Sequence, residues 1–195
     1  MSKIKWKGGA LIAPVPPAMI SCGRVSDGTA NIITVAWTGI TNTVPPKTYI
    51  SVRPSRYSYD LIKERGEFVI NLTPAHLTKE ADYCGIYTGK KVNKFEKCKL
   101  TKVKGTQVDT PMIGECPISI ECRVTDIISL GSHDMFMADI VAINVDEELF
   151  DKEGKMHFEK AGLIAYAHGE YYELGKKIGR FGFSTDKKKK KKVRK

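Results

Sequence analysis

Short runs in which apolar and small polar positions alternate dominate the first three quarters of the chain, the period-2 pattern of half-buried strands. Six stand out: AMISCGRVS (18–26), NIITVAW (31–37), TYISVR from Thr48, EFVINL from Glu67, ISIECRVTDIIS from Ile118 and MFMADIVAINV from Met135. The last two read as a hairpin turning near Gly131, long enough to offer a flat dimer surface. Helical spacing is scarcer. SRYSYDLIKERG (55–66) has Ser55 as a candidate N-cap, Leu61 and Ile62 on one side and Gly66 in the stopping position. LTKEADYCGIY, from Leu77, places Leu77, Ala81 and Cys84 along one face. There is no βαβ rhythm, no repeat and no G-x-G-x-x-G, which argues against a doubly wound nucleotide fold. Many strands with few short helices predict a mainly β protein, a closed barrel with α additions.

One stretch breaks the pattern. NIITVAWTGITNTVPP begins as a strand and then runs into Gly39, Pro45 and Pro46, so the strand is expected to leave its sheet near Trp37. The segment beyond Trp37 reads as a loop of hydroxyls and backbone N–H groups, either an ordinary connection or a ligand cradle. A second stretch, SVRPSRY (51–57), ends a strand at Arg53 and opens a helix near Ser55, whose first N–H groups lack partners. With hydroxyls at Ser55 and Ser58 and guanidinium groups at Arg53 and Arg56, it suits a phosphate, the alternative being a plain cap with solvated arginines.

Charge narrows the reading. The net charge of +10 over 195 residues looks basic enough for nucleic acid, but eight of the 32 Lys and Arg fall in the final KKKKKKVRK. Without that segment the balance is 24 basic against 22 acidic, nearly neutral. Residues 185–195 are expected to form a disordered basic tail, either solubilising or an electrostatic arm for nucleic acid or an acidic partner. Five cysteines without a C-x-x-C pair, and no long apolar start, fit a cytoplasmic protein. No apolar run approaches the ~20 residues that span a bilayer. Cys and His spacing gives no metal motif.

Taken together, NIITVAWTG followed by PP, then YISVRPSRYSYDLIKERGEFVINL, then YCGIYTGKKVNKFE, resemble the flavin reductase-like, FMN-binding split-barrel family, in particular its flavoredoxin-type branch, over about residues 11–184. The resemblance implies a homodimer of six-stranded Greek-key barrels holding FMN noncovalently near the subunit interface. It implies main-chain contacts to the ring around Ala36, Trp37 and Thr38, with Asn31 and Thr34 on the strand leading in. It assigns the phosphate to Ser51, Arg53, Ser55, Arg56 and Tyr57. Lys94, beside Phe95, matches the family pattern and reaches a phosphate or stays at the surface. Cys84 is either redox-active or packed. His168 is either a nicotinamide-side residue or structural, and Tyr171 and Tyr172 are equally ambiguous.

Three functions compete at this point. One is an NAD(P)H-dependent flavin or ferric reductase. Another is a flavoredoxin-like electron carrier fed by a partner protein, which a basic tail would help steer. The third, a nucleic-acid-binding barrel, would need exposed aromatics interleaved with basic residues, and these strands offer mainly Ile, Val, Thr and Met.

Overall fold

The computed structural model describes residues 1–185. The Lys-rich run from Lys187, and the tail expected there, lie outside the described residues.

In chain order the elements are β1 (Ala18–Cys22), β2 (Asn31–Val35), β3 (Thr38–Thr43), β4 (Pro46–Val52), α1 (Tyr57–Arg65), β5 (Glu67–Leu72), α2 (Thr78–Ile86) and α3 (Lys94–Lys97). Then come the short β6 (Lys102–Val103) and β7 (Met112–Ile113), the long β8 (Ile118–Ser129) and β9 (Asp134–Val145), and a hairpin of β10 (Ile164–Ala167) and β11 (Glu170–Glu173). Seven strands form one antiparallel sheet in the order β2-β1-β5-β8-β9-β4-β3.

That order forces the sheet to roll up. Its two edge strands, β2 and β3, are consecutive in the chain and joined only by Ala36 and Trp37. Three Cα steps from Val35 to Thr38 reach about 11 Å, whereas the edges of a flat seven-stranded sheet would stand about 29 Å apart. The edges therefore meet along a seam, and the fold is a split barrel. A backbone hydrogen bond from Ser51 N–H to the Trp37 carbonyl, 2.9 Å, extends the pairing of β3 with β4 to the edge of that seam.

The six strands foreseen in the sequence are all present. The seventh, β3, occupies the stretch read as a loop. Two residues link it to β2, it then pairs with β4 from Thr38↔Ile50 to Thr43↔Pro46, and Pro45 lies in the intervening turn. Prolines do not prevent this, because β3 is an edge strand and Pro46 is the first residue of β4. Its Thr-rich sequence suits an edge that faces water on one side.

The barrel interior is filled by Ala18, Ile20, Ile33, Val35, Ile50, Val52, Phe68, Ile70 and Phe136, with Leu61 and Ile62 of α1 plugging one end. Alternate residues of the same strands, Met19 and Ile32, point outward and are covered by Ala81 and Cys84 of α2 and Phe95 of α3. α1 ends where expected, on Gly66 in the left-handed region (φ 67°), its N–H bonded to the Ile62 carbonyl. It begins one residue later than expected. Arg56, not Ser55, is the N-cap and no side chain caps the helix. The Arg56 N–H bonds the Arg53 carbonyl, so Ser55 is taken up in a turn ahead of the helix.

Two buried polar side chains on the far wall, Asn71 and Glu121, are fully engaged. Asn71 donates to the Met19 carbonyl and Ser21 Oγ and accepts from Ile113 N–H and Ser119 Oγ. Glu121, with 0% exposure, accepts five hydrogen bonds: Thr106 N–H and Oγ1, Gln107 N–H, Val108 N–H and Asn144 Nδ2, all between 2.6 and 2.8 Å. Among the described residues no helix is long and apolar enough to cross a membrane.

Candidate functional site

The end of β2 and the end of β4 meet at the seam, and there the surface opens into a cleft of about 370 Å³. Ile33, Thr34, Val35, Ala36 and Trp37 form one side, and Ser51, Val52, Arg53 and Arg56 another. A second cleft of about 350 Å³ adjoins it, sharing Ile33, Arg53 and Arg56 and continuing over Ser55, Tyr57, Ser58, Cys84, Gly89 and Lys94. Each volume falls in the range of small-ligand pockets. The two stretches singled out in the sequence thus sit at one end of the barrel.

The walls differ in character. The larger cleft pairs the Trp37 indole, 37% exposed, with backbone at a strand break. The smaller one is cationic. Lys94 reaches it from α3 and is only 3% exposed. Its ammonium donates to the Ile32 carbonyl at 2.7 Å and the Cys84 carbonyl at 2.8 Å. Both partners are neutral, and among the described residues no carboxylate pairs with it. Burial pushes the amine below its ordinary value, and the nearby Arg56 adds to the shift. Arg53 and Arg56 are exposed and likewise form no ion pair among the described residues. Three cations thus gather around the smaller cleft, and among the described residues that line it there is no carboxylate.

Gly89 is required here by close approach. A Cβ on it would lie 2.4 Å from Asn31 Oδ1 and 2.5 Å from Tyr57 Cδ1, so only glycine lets the loop before α3 close on the Tyr57 ring.

Other expected residues take different places. Asn31 is buried behind the clefts, where its Nδ2 donates to Ser58 Oγ at 2.8 Å; that bond and its burial give Ser58 a structural partner. Thr34 lines the larger cleft, but its hydroxyl donates to the Ala81 carbonyl at 2.6 Å and pins α2 to β2. The Thr38 hydroxyl donates to the Tyr49 carbonyl and lines neither cleft. Cys84 borders the smaller cleft, yet burial, with Cys98 beside it, pushes its thiol up to about 12 and keeps it protonated. Its sulfur is 4.0 Å from that of Cys98. His168 stands in the β10–β11 turn at φ 51°, followed by Gly169 at φ 94°, a two-residue turn with both φ positive. It does not line the larger cleft but borders an adjoining cavity against Leu11 and Ile12, which shares Trp37 and Tyr166 with that cleft.

Among the polar wall residues, sequence reading missed His133 and Asp82 and left Tyr171 ambiguous. His133, just before β9, lines the larger cleft, and burial together with Arg53 and Arg56 lowers its pKa. Asp82 and Tyr171 face the same space, joined by a hydrogen bond across 89 positions. Asp82 carries a signal in hindsight, since it lies between the core positions Ala81 and Cys84 on the exposed side of a short helix.

A family model described as a flavin reductase-like domain matches residues 12–175 of this fold. The chain belongs to the flavin reductase-like family. Among solved structures of that type, it is similar to the flavoredoxin of Desulfovibrio vulgaris (Miyazaki F), with 31% identity and TM-score 0.87, covering 95% of this chain and 100% of the other. A flavoredoxin from Methanosarcina acetivorans is similar at 27% identity and TM-score 0.85, covering 94% and 97%. An uncharacterized protein of Archaeoglobus fulgidus is 34% identical over 125 residues, 64% of this chain and 70% of its own. The family's mainly β split barrel is the architecture described above.

Proposed function

We propose that the chain binds FMN noncovalently across the two clefts and acts as an oxidoreductase, an NAD(P)H-dependent flavin or ferric reductase. The observation that carries this reading is Lys94. An ammonium has three donors, and this one is buried with two neutral carbonyls and no counter-ion. Such a charge is best offset by an anion in the cleft it borders. A flavin phosphate meets that need, because Arg53 and Arg56 add forked donors at the same place and the adjoining cleft offers room and an indole for a ring.

In this reading Lys94, Arg53, Arg56, Ser55 and Tyr57 hold the phosphate, with Ser51 beside them. Main chain at Ala36 and Trp37 meets the ring's polar edge, and Thr38, which lines neither cleft, takes no part. Thr34 and Asn31 hold β2 in position through their bonds to Ala81 and Ser58. Bound there, FMN would supply hydride and electron chemistry between a nicotinamide and free flavin, iron or a partner. The chain's part is to orient the ring, offset the phosphate charge and keep N–H donors where negative charge develops on reduction. Cys84 and His168 have no catalytic role in this account, since one is a protonated core thiol and the other a turn residue.

Likeness to two flavoredoxins over nearly the whole chain favours a second reading, an electron carrier that takes electrons from an acidic partner protein rather than from a nicotinamide. Both readings include a cytoplasmic homodimer. The near-neutral body sets the nucleic-acid reading aside. Adding FMN to the purified protein, removing the excess and titrating anaerobically with NADH and NADPH tests the proposal. A yellow protein bleached by either nucleotide is the reductase, a yellow protein bleached by neither is the carrier, and one that retains no FMN refutes both.

A further inference from the structure

The outer wall of the larger cleft carries a charge that phosphate binding does not use. α2 turns Asp82, Gly85 and Ile86 toward the cleft, positions i, i+3 and i+4 of one helical face. The hairpin contributes Tyr166 of β10 and Tyr171 of β11, direct cross-strand partners whose rings meet edge to face at 5.4 Å. The Tyr171 hydroxyl donates to Asp82 Oδ1 at 3.2 Å. Burial and the Asp82 carboxylate raise the phenol to about 12, so its proton stays on this bond. Among the described residues that is the only hydrogen bond the Asp82 side chain makes, and no basic side chain pairs with it. The Asp82–Tyr171 pair therefore offers lone pairs and negative charge, its one hydroxyl proton already engaged, while Arg53, Arg56 and His133 stand elsewhere on the same cleft.

Three aromatic side chains, Trp37, Tyr166 and Tyr171, line this cleft, which suits a planar molecule. We propose that Asp82, held in place by Tyr171, is a specificity-determining residue for the second substrate of the cleft. It favours a planar compound that is cationic, or that presents N–H donors at the rim, over one carrying a carboxylate, sulfonate or phosphate there. The inference rests on the flavin reading above. A carboxylate attracts a cation and repels an anion, and aromatic walls add cation–π attraction to the first alone.

The test uses FMN-loaded protein reduced anaerobically with one equivalent of dithionite, so that no nicotinamide is needed. Rapid mixing with phenazine methosulfate, a planar cation, or with naphthoquinone sulfonate, a planar anion, is followed by the return of yellow absorbance. The quantity read is the ratio of the two second-order rate constants in the parent, in Asp82→Asn and in Tyr171→Phe. Asp82→Asn keeps the shape and an acceptor oxygen for Tyr171 but removes the charge. Tyr171→Phe breaks the tether and keeps the charge. The cation-to-anion ratio falls about fivefold in Asp82→Asn, as losing one nearby surface charge implies, and falls by less than about twofold in Tyr171→Phe, which keeps the charge but loosens its position. A ratio within twofold of the parent in Asp82→Asn, or an equal fall in both variants, overturns the assignment. Failure of the parent to take up FMN refutes the flavin reading itself, a separate result visible before any acceptor is added.

Discussion

Glu121 and Lys94 are both charged and both buried, on different walls of one barrel, and the chain treats them in opposite ways. Glu121 meets five donors from Thr106, Gln107, Val108 and Asn144, which together satisfy the carboxylate. Lys94 meets two carbonyls and no negative charge. Burial works to raise the Glu121 carboxyl, but the hydrogen bonds outweigh it and hold the group below its usual value. Burial also dominates at Lys94, and nothing there reverses it. A buried charge completed from within is a structural part that fixes a loop to a strand. One left incomplete beside a cleft costs the empty protein stability and returns it when an anion arrives.

The largest effect should come from the completed charge. Glu121→Ala leaves five donors without their acceptor and should lower stability by about 3–5 kcal/mol in urea unfolding. In whatever folded fraction remains, FMN affinity should be unchanged, and a matching loss of affinity would dissolve the contrast. Lys94→Met should do the reverse. FMN affinity should fall about a hundredfold by fluorescence quenching, while stability without FMN changes much less than in Glu121→Ala. Arg56→Ala, an exposed partner in the same cluster, should cost about tenfold in affinity. Ser55→Ala should shift stability by less than about 0.5 kcal/mol, because this serine caps nothing; a true N-cap would cost about 1 kcal/mol.

Stability against pH sharpens the same comparison. Both groups have folded pKa values below their unfolded ones, so for each the unfolded chain binds more protons within its own window, and stability rises as pH rises through it. For Glu121 that window lies below the ordinary carboxylate value near 4.3, so its contribution is complete at neutral pH and is lost on acidification. For Lys94 it lies below the ordinary amine value near 10.4, so its cost is present at neutral pH and is relieved only on the alkaline side. Bound FMN should abolish the alkaline gain and leave the acid loss intact, as read from the urea midpoint across pH.

Much of this was legible in the chain because strand periodicity is local. Glu67–Leu72 and Ile118–Ser129 fall where the alternation puts them, and Gly66 stops α1 as its conformational freedom allows. β3 was not legible, since Thr, Asn and Pro read as a loop until the partner strand β4 and an edge position are supplied. Ser55 has the right chemistry for a cap, but the turn from Arg53 to Arg56 moves the helix start past it. Arg53, Arg56 and Lys94 were legible as residues, yet the burial of Lys94 belongs to α2 and β2, whose carbonyls surround it. Asp82 and Tyr171 become neighbours only when the C-terminal hairpin docks against α2, a contact that no local pattern announces. Glu121 left little trace, because the same strand carries Arg123 and Asp126 at positions that read equally as polar.

The central claim is that the incomplete cation cluster is a phosphate site. Its most direct test compares FMN with riboflavin, which differs only in lacking the phosphate, in parallel titrations against the parent and Lys94→Met. The account predicts that the parent binds FMN about a hundredfold more tightly than riboflavin and that Lys94→Met erases most of that gap. Equal affinity of the parent for the two flavins would contradict it and would leave Lys94 a buried cation without a purpose in this cleft.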